Sequence, residues 1–350
     1  MKRHARLLYA VGLALGLAAP SSASATPQRI LFLGDSVTQA DDQHLSFRYE
    51  AFKGLVDSGQ IPGVDFDFVG SWQDHFGGDP TFPDYQGYSF DRDHEGHWGW
   101  RTWQILEGDA FRSPPENSGT GKLDVWLDGY TPDVAFVLLG TNDISRNNPG
   151  KRPWQPTEVA PRVAEVVRTL QADNPYVRVI LGTLIPRSGD SHDNEIPEFN
   201  ALLPGVAADT TTDTSLVQVL DLYSSLDWTI HNYDGTHPNE TGEAIIGGLI
   251  TPALLPATPG DADRNGAVDL LDFDRLAQNF GTGPAFAGGA YNGDFNRDGA
   301  VDLLDFDLLA QHFTGGAPTS AGPVANPVPE PASLAALVAA GLWIGRRRMA

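Results

Sequence analysis

Five short apolar runs rich in β-branched residues punctuate the first two thirds of the chain, at 29–33, 64–69, 133–139, 177–184 and 216–222. Each is nearly continuous in hydrophobicity and does not alternate, which is how parallel strands covered on both faces read. Segments with helical spacing lie between them. The clearest is 157–172, where Val159, Val163, Val166, Val167 and Leu170 fall on one stripe. Weaker helical patterns occupy 49–56 and 240–255. Strands that alternate with helices predict an α/β domain over 27–256, three layers deep with a parallel sheet in the middle. A Pro- and Thr-containing stretch from 251 to 259 ends the pattern.

Beyond that break the chain repeats itself. Asp261-Ala262-Asp263-Arg264-Asn265-Gly266-Ala267-Val268-Asp269-Leu270-Leu271-Asp272 recurs 33 residues later, from Asp294 to Asp305. Each copy places side-chain oxygens at positions 1, 3, 5, 9 and 12 of a twelve-residue loop, a carbonyl at 7 and Gly at 6. The first set is Asp261, Asp263, Asn265, the Ala267 carbonyl, Asp269 and Asp272. The second is Asp294, Asn296, Asp298, the Ala300 carbonyl, Asp302 and Asp305. Hard oxygen ligands around a sharp turn are EF-hand spacing, so each loop predicts one Ca²⁺. Asp closes both loops where EF-hands usually carry Glu. A helix follows each loop, with Leu276/Phe280 and Leu309/Phe313 four residues apart.

Charge and cysteine usage narrow the options. The formal net charge of −22 disfavours binding to nucleic acid or an anionic membrane through bulk electrostatics. Part of that acidity is local: residues 260–316 hold ten Asp against three Arg, a balance that suits a cation partner. The chain has no Cys, which excludes disulfides, thiolate metal sites and a cysteine nucleophile. The N-terminus runs from Lys2-Arg3-His4-Ala5-Arg6 through an apolar segment at 7–19 to Ala23-Ser24-Ala25. That order predicts a secretory signal peptide cleaved after Ala25. At the other end, a flexible Gly/Pro/Ala linker at 315–327 leads to Val328-Pro329-Glu330-Pro331, an apolar stretch and Arg346-Arg347-Arg348. The stretch is shorter than the roughly 20 residues that span a bilayer unstrained. A weak tail anchor is one reading of 328–350. The other is a resemblance to PEP-CTERM sorting tails, which implies transient membrane retention and processing by an exosortase. Both place the protein outside the cytoplasm.

Four segments carry the candidate chemistry. Gly34-Asp35-Ser36-Val37-Thr38 directly follows the first strand, and the carboxyl ends of parallel strands are where ligands bind. Asp234-Gly235-Thr236-His237-Pro238-Asn239 follows the last strand. An Asp three residues before a His can hold the imidazole Nδ1 proton and leave Nε2 to deprotonate Ser36. A serine alcohol needs such a base to become a nucleophile. Gly140-Thr141-Asn142-Asp143 ends the third strand, so the Asn142 amide can reach the same crevice. Gly96-His97-Trp98-Gly99-Trp100 supplies backbone N–H groups without steric cover. Preorganised donors of this kind stabilise the oxyanion of acyl transfer. No cofactor is required for that chemistry.

Gly-Asp-Ser, a mid-chain Gly, Gly-Thr-Asn-Asp and Asp-x-x-His occur in the order of the four blocks of SGNH (GDSL-like) hydrolases, and the chain resembles that family over 29–250. The resemblance implies a flavodoxin-like fold with five parallel strands. It also implies roles: Ser36 as nucleophile and first oxyanion donor, Gly99 and Asn142 as the other donors, His237 as general base and Asp234 as its orienting partner. Gly96 competes with Gly99, which is preferred for its place before Trp100 and the helix start at 101–106. Ser46-Phe47-Arg48-Tyr49, Asp67-Phe68-Val69-Gly70-Ser71 and Glu95-Gly96-His97-Trp98-Gly99-Trp100 look like the carbohydrate-esterase branch that includes acetyl xylan esterases. A departure is Trp98, where that branch often has a small residue; it either narrows the mouth or offers a sugar-stacking platform. The acidic loops at 260–314 resemble type I dockerin repeats, which bind cohesins through loop positions 10 and 11. Those positions are Leu270-Leu271 and Leu303-Leu304, apolar where cellulosomal dockerins often are polar, so a calcium-stiffened stalk stands beside cohesin binding. The expected function is an exported serine esterase acting on O-acetylated polysaccharide. Lipid, aryl or thioester hydrolysis, and a catalytically idle calcium-dependent surface module, are the alternatives.

Overall fold

The computed structural model describes residues 26–108, 120–144, 154–188, 195–264, 266–283, 290–296 and 299–314. The expected leader, the linker at 315–327 and the sorting tail lie outside those residues, as do the expected ligands Asn265 and Asp298. Among the described residues no helix is long and apolar enough to cross a membrane.

Strands β1 (Gln28–Gly34), β2 (Phe66–Val69), β3 (Glu95–Gly96), β4 (Val134–Leu138), β5 (Arg178–Gly182) and β6 (Val217–Leu220) pair in parallel in the order β2-β1-β4-β5-β6. The five strands expected from the apolar runs are all present. The two-residue β3 has no counterpart among those runs, since two positions are too few to show a period. It pairs with β1 through Leu33↔Glu95 and Gly34↔Gly96, beyond the point where β2 leaves β1 at Leu31↔Val69. That handover brings the 94–100 segment beside the C-terminal end of β1. Ile30, Leu31, Phe32 and Leu33 are fully buried, as is every residue of β4 and β5, which requires cover on both sheet faces. Phe32 meets Phe47, Phe68 and Phe136 edge-on at 5.9, 4.9 and 6.1 Å, geometry favoured by the aromatic quadrupole.

The helices of this domain are α1 (Ser36–Gln39), α2 (Ser46–Asp57), α3 (Thr102–Glu107), α4 (Leu123–Trp126), α5 (Thr141–Ile144), α6 (Pro156–Asp173), α7 (Glu195–Thr210), α8 (Trp228–His231) and α9 (Glu240–Leu254). α2 packs on α9, and α6 on α7. α6 starts where its chemistry dictates: Pro156 stands in the first turn, and Glu158 accepts the Gln155 N–H at 2.8 Å in a capping box. Sequence patterning missed α7. Ile196, Phe199, Leu203, Val206 and Thr210 are buried at three- and four-residue spacing, but Pro197 and Pro204 argue against a helix there.

The repeats form a second core, separate from the first, around Ala262, Val268, Leu276, Phe295, Val301 and Leu309. Their helices are α10 (Leu270–Asn279) and α11 (Leu303–His312). The two copies exchange equivalent bonds: Thr314 N–H donates to Val268 O at 2.9 Å, and Gly281 N–H to Val301 O at 2.6 Å. Arg275 and Tyr291 reach the Asp213 and Thr212 carbonyls of the larger domain at 2.7 and 3.2 Å.

Candidate active site

β1 ends at Gly34 and the chain turns at once into α1. Asp35 caps that helix, its Oδ1 accepting the Val37 N–H at 3.1 Å, and Ser36 is its first residue. The loop before α9 comes from the opposite end of the domain. The Asn239 carboxamide accepts the Thr241 and Gly242 N–H groups, both at 3.1 Å, and so starts α9 immediately after His237-Pro238. Residues 201 apart in sequence thereby meet: Ser36 Oγ lies 2.8 Å from His237 Nε2, and His237 Nδ1 lies 2.8 Å from Asp234 Oδ2. A carboxylate only accepts, so Nδ1 carries the proton and Nε2 is left as the acceptor facing the serine hydroxyl. Asp234 Oδ1 takes the Thr236 and His237 N–H groups at 2.9 and 2.8 Å. Burial pushes the Asp234 carboxyl up, but the bonds from the His237 side chain and backbone outweigh it and hold the group well below the usual carboxylate range.

The other two expected donors flank this line. Leu138 is in register with Gly34, so α5 with Asn142 begins at the neighbouring strand end. Asn142 Nδ2 donates one hydrogen to the Trp100 carbonyl at 3.0 Å, which orients the amide and ties it to the Gly99 turn. Gly99 has φ +74°, a left-handed conformation that suits glycine, and its N–H makes no bond to any described residue. Gly96 is different. Its N–H is engaged by His94 Nδ1 at 2.9 Å, which leaves Gly99 as the free donor of the pair.

Gly96 has a steric function instead. A Cβ there would sit 2.5 Å from the Gln39 nitrogen and 2.8 Å from the Thr38 carbonyl carbon, both backbone atoms of α1. Gly96→Ala is expected to push α1 and its serine out of place. Thermal unfolding should show about 1–3 kcal/mol of lost stability, with kcat falling in the same variant.

Several buried polar groups that motif reading left without a role hold this end of the sheet. Arg48, fully buried, donates from Nε to Thr38 O at 2.8 Å and from Nη2 to Gln39 O at 3.1 Å, taking the carbonyls at the end of α1. Burial pulls its guanidinium down to about 9, against the pull of Glu243. Gln39 accepts the Trp98 N–H at 2.7 Å. Glu95 receives Tyr130 Oη at 2.7 Å and pairs with His97 Nε2 at 3.0 Å, while His97 also packs against Trp100 and Trp126 at 4.6 and 4.5 Å. Asp143 accepts the Thr102 N–H and hydroxyl at 3.0 and 2.7 Å, and burial raises it to about 6. In sequence Arg48, Glu95, His97 and Asp143 stood out as motif members, but only their packing shows what they hold. Trp100 is a core residue, 2% exposed. Trp98 lies between two rings, Phe76 and His237, each 4.4 Å away and nearly parallel, which leaves it no free face for a sugar.

In the repeats, carboxylate oxygens of Asp261, Asp263 and Asp272 lie within 4.8 Å of one another. Asp272 Oδ1 accepts the Ala262 and Asp263 N–H groups at 2.7 and 3.2 Å; Asp305 does the same for Phe295 and Asn296 at 2.8 and 3.1 Å. Asp269 and Asp302 cap α10 and α11, each accepting an N–H two residues on at 2.8 Å. Asp261 and Asp294 each accept the N–H of the glycine at loop position 6, at 3.1 Å.

Residues 259–320 match the dockerin type I domain. A multidomain esterase of Ruminococcus flavefaciens is 26% identical over 234 residues, which is 65% of this chain and 28% of that protein, so the chain spans under a third of that relative. Among solved structures, a carbohydrate esterase of family 3 from Talaromyces cellulolyticus is 29% identical with a TM-score of 0.51, covering 65% of this chain and 96% of its own. An acetyl esterase mutant crystallised with acetate ion is 30% identical with a TM-score of 0.49 over 65% and 96%. Residues 32–245, from β1 through the loop bearing His237 and into α9, match the GDSL-like lipase/acylhydrolase family. That span is more than half of the chain, and the protein belongs to this family.

Proposed function

We propose that residues 27–256 form a serine esterase that removes O-acetyl groups from a polysaccharide by way of an acyl-enzyme. The observation that carries this reading is the unbroken line Asp234–His237–Ser36, with both links at 2.8 Å. In the forward step Ser36 Oγ attacks the ester carbonyl carbon while its proton passes to His237 Nε2. Asp234 stabilises the imidazolium. The Ser36 and Gly99 N–H groups and the second hydrogen of Asn142 Nδ2 receive the oxyanion. Collapse releases the alcohol, which takes the proton from His237. Water, deprotonated by the same imidazole, then frees the acid and regenerates Ser36.

Ser36 and His237 share a tight hollow with Trp98, Tyr233 and Glu243, which favours a small acyl group over a long one. A sugar alcohol is suggested by the name of the Talaromyces relative. Acetate release from acetylated xylan and other acetylated glycans by the purified chain, set beside esters of longer acids, tests the assignment. Preference for long-chain esters would replace it with a lipase reading. The leader and tail motifs support work outside the cytoplasm.

For residues 260–314 we propose two bound Ca²⁺ ions. Three acidic side chains crowded within 4.8 Å, with Asp269 Oδ2 buried and unpartnered, repel one another unless a hard cation joins them. Asp261, Asp263, Asp269 and Asp272, with the Ala267 carbonyl and Asn265, would hold one ion. Asp294, Asn296, Asp298, Asp302, Asp305 and the Ala300 carbonyl would hold the other. Calorimetric titration of the full chain should saturate at two ions, and Asp261→Ala at one. At a thousandfold excess over Kd, calcium adds about 4 kcal/mol to the stability of the repeats, and chelation removes it. Leu270, Leu271, Leu303 and Leu304 are 61, 49, 67 and 51% exposed. Two matching apolar pairs in solvent support a cohesin-like partner more than a bare stalk.

A further inference from the structure

His237 is the middle member of a stack of five rings. Phe76 and Trp98 lie 4.4 Å apart at 14°, Trp98 and His237 4.4 Å at 20°, His237 and Tyr233 5.8 Å at 20°, and Tyr233 and His44 4.1 Å at 7°. Two rings at 4.4 Å from one indole, both nearly parallel to it, collide if they share a face, so Phe76 and the imidazole take opposite faces of Trp98. The stack is closed at both ends by one segment, the five residues after α1. Phe76 N–H donates to Ala40 O at 3.0 Å and Asp42 N–H to Phe76 O at 3.0 Å. At the far end Tyr233 Oη donates to Asp41 Oδ2 at 2.7 Å, and His44 Nδ1 meets Asp41 Oδ1 at 2.6 Å. Trp98 itself is pinned by its N–H to Gln39 Oε1 at 2.7 Å, inside α1.

We infer that Trp98 is a positioning residue for the reaction proposed above: within this stack it clamps the His237 imidazole in the plane that points Nε2 at Ser36 Oγ. The Asp234 bond fixes one ring atom but leaves the ring free to swing about the Nδ1–carboxylate axis. The parallel indole face 4.4 Å from the imidazole opposes that swing. Because the anchors of the stack belong to α1 and the segment following it, the base is held relative to the nucleophile and not merely to its own loop. A ring out of register with the hydroxyl loses the near-attack geometry on which proton transfer depends.

The test is steady-state kinetics on p-nitrophenyl acetate and an acetylated glycan with the full chain. Trp98→Ala is expected to lower kcat by about 10- to 100-fold with KM changed less than about threefold, and Trp98→Phe to restore most of kcat. In a His237→Ala background, Trp98→Ala should cost nothing further, since both act through the same ring. A kcat in Trp98→Ala equal to that of the parent chain, in protein whose melting temperature is unchanged, overturns the inference. So does a rise in KM on the glycan alone, which would make Trp98 a sugar platform, and so does full additivity with His237→Ala. If Trp98→Ala lowers the melting temperature, Trp98→Phe and the His237→Ala pair decide between the outcomes. The inference rests on the esterase reading, but the two fail separately: turnover that survives Ser36→Ala sinks the reading, whatever Trp98 does.

Discussion

Replacing Ser36 with Ala is expected to lower turnover of p-nitrophenyl acetate by about a millionfold, the scale on which the loss of a triad serine falls. The residue bears no structural burden that alanine cannot carry. Its Oγ bonds to His237 Nε2, while α1 is capped by Asp35 and held at its far end by Arg48. Melting temperature and calcium uptake should therefore stay at their parent values, and that contrast is the diagnostic. A residue at 4% exposure with an unchanged fold and no turnover points to chemistry. A variant that keeps more than about a hundredth of the parent rate would assign the esterase activity to another group.

Asp234→Asn should follow with a drop in kcat of about ten-thousandfold. The amide oxygen of Asn can still accept the Thr236 and His237 N–H groups, so the loop keeps its turn. What changes is the partner of Nδ1. An amide NH₂ facing that nitrogen makes it the acceptor, the ring proton moves to Nε2, and the imidazole offers Ser36 a hydrogen where it needs a lone pair. KM should hardly move. The carboxylate is depressed in the folded chain, so the sign of its pH linkage is set. Its contribution to stability is complete above the unfolded value of about 3.9 and is lost only as pH falls below that. Asp234 thus stays ionised across mildly acidic conditions, and stopped-rate assays of the parent chain at mildly acidic pH should show no step from this group.

Much of the architecture is legible in the chain itself. The apolar runs at 29–33 and 133–139 became β1 and β4, and the stripe at 157–172 became α6 with one residue added at each end. The run at 64–69 shortened to Phe66–Val69, because Val64 sits in a turn at 52% exposure. α7 escaped notice for a physical reason: its two prolines weigh against a helix locally, while burial of Ile196, Phe199 and Leu203 decides in its favour. The repeat was the plainest signal of all, and its two copies carry matching hydrogen bonds. Gly99 and Gly96 looked alike in sequence. They separate once His94 Nδ1 is seen to occupy the Gly96 N–H.

From its sequence alone this protein declares a parallel α/β domain, a duplicated acidic loop, and a serine, an aspartate and a histidine placed at turns after strands. Those are matters of period and turn chemistry, which act over a few residues. Tertiary structure decided the rest: that Ser36 and His237 meet across 201 residues, that β3 sets Glu95 and Gly96 beside the end of β1, that Arg48 and Glu95 serve as buried struts, and that an indole lies against the His237 ring. Each of these depends on strand register and on which faces are closed to water, and neither is encoded in any single stretch of chain.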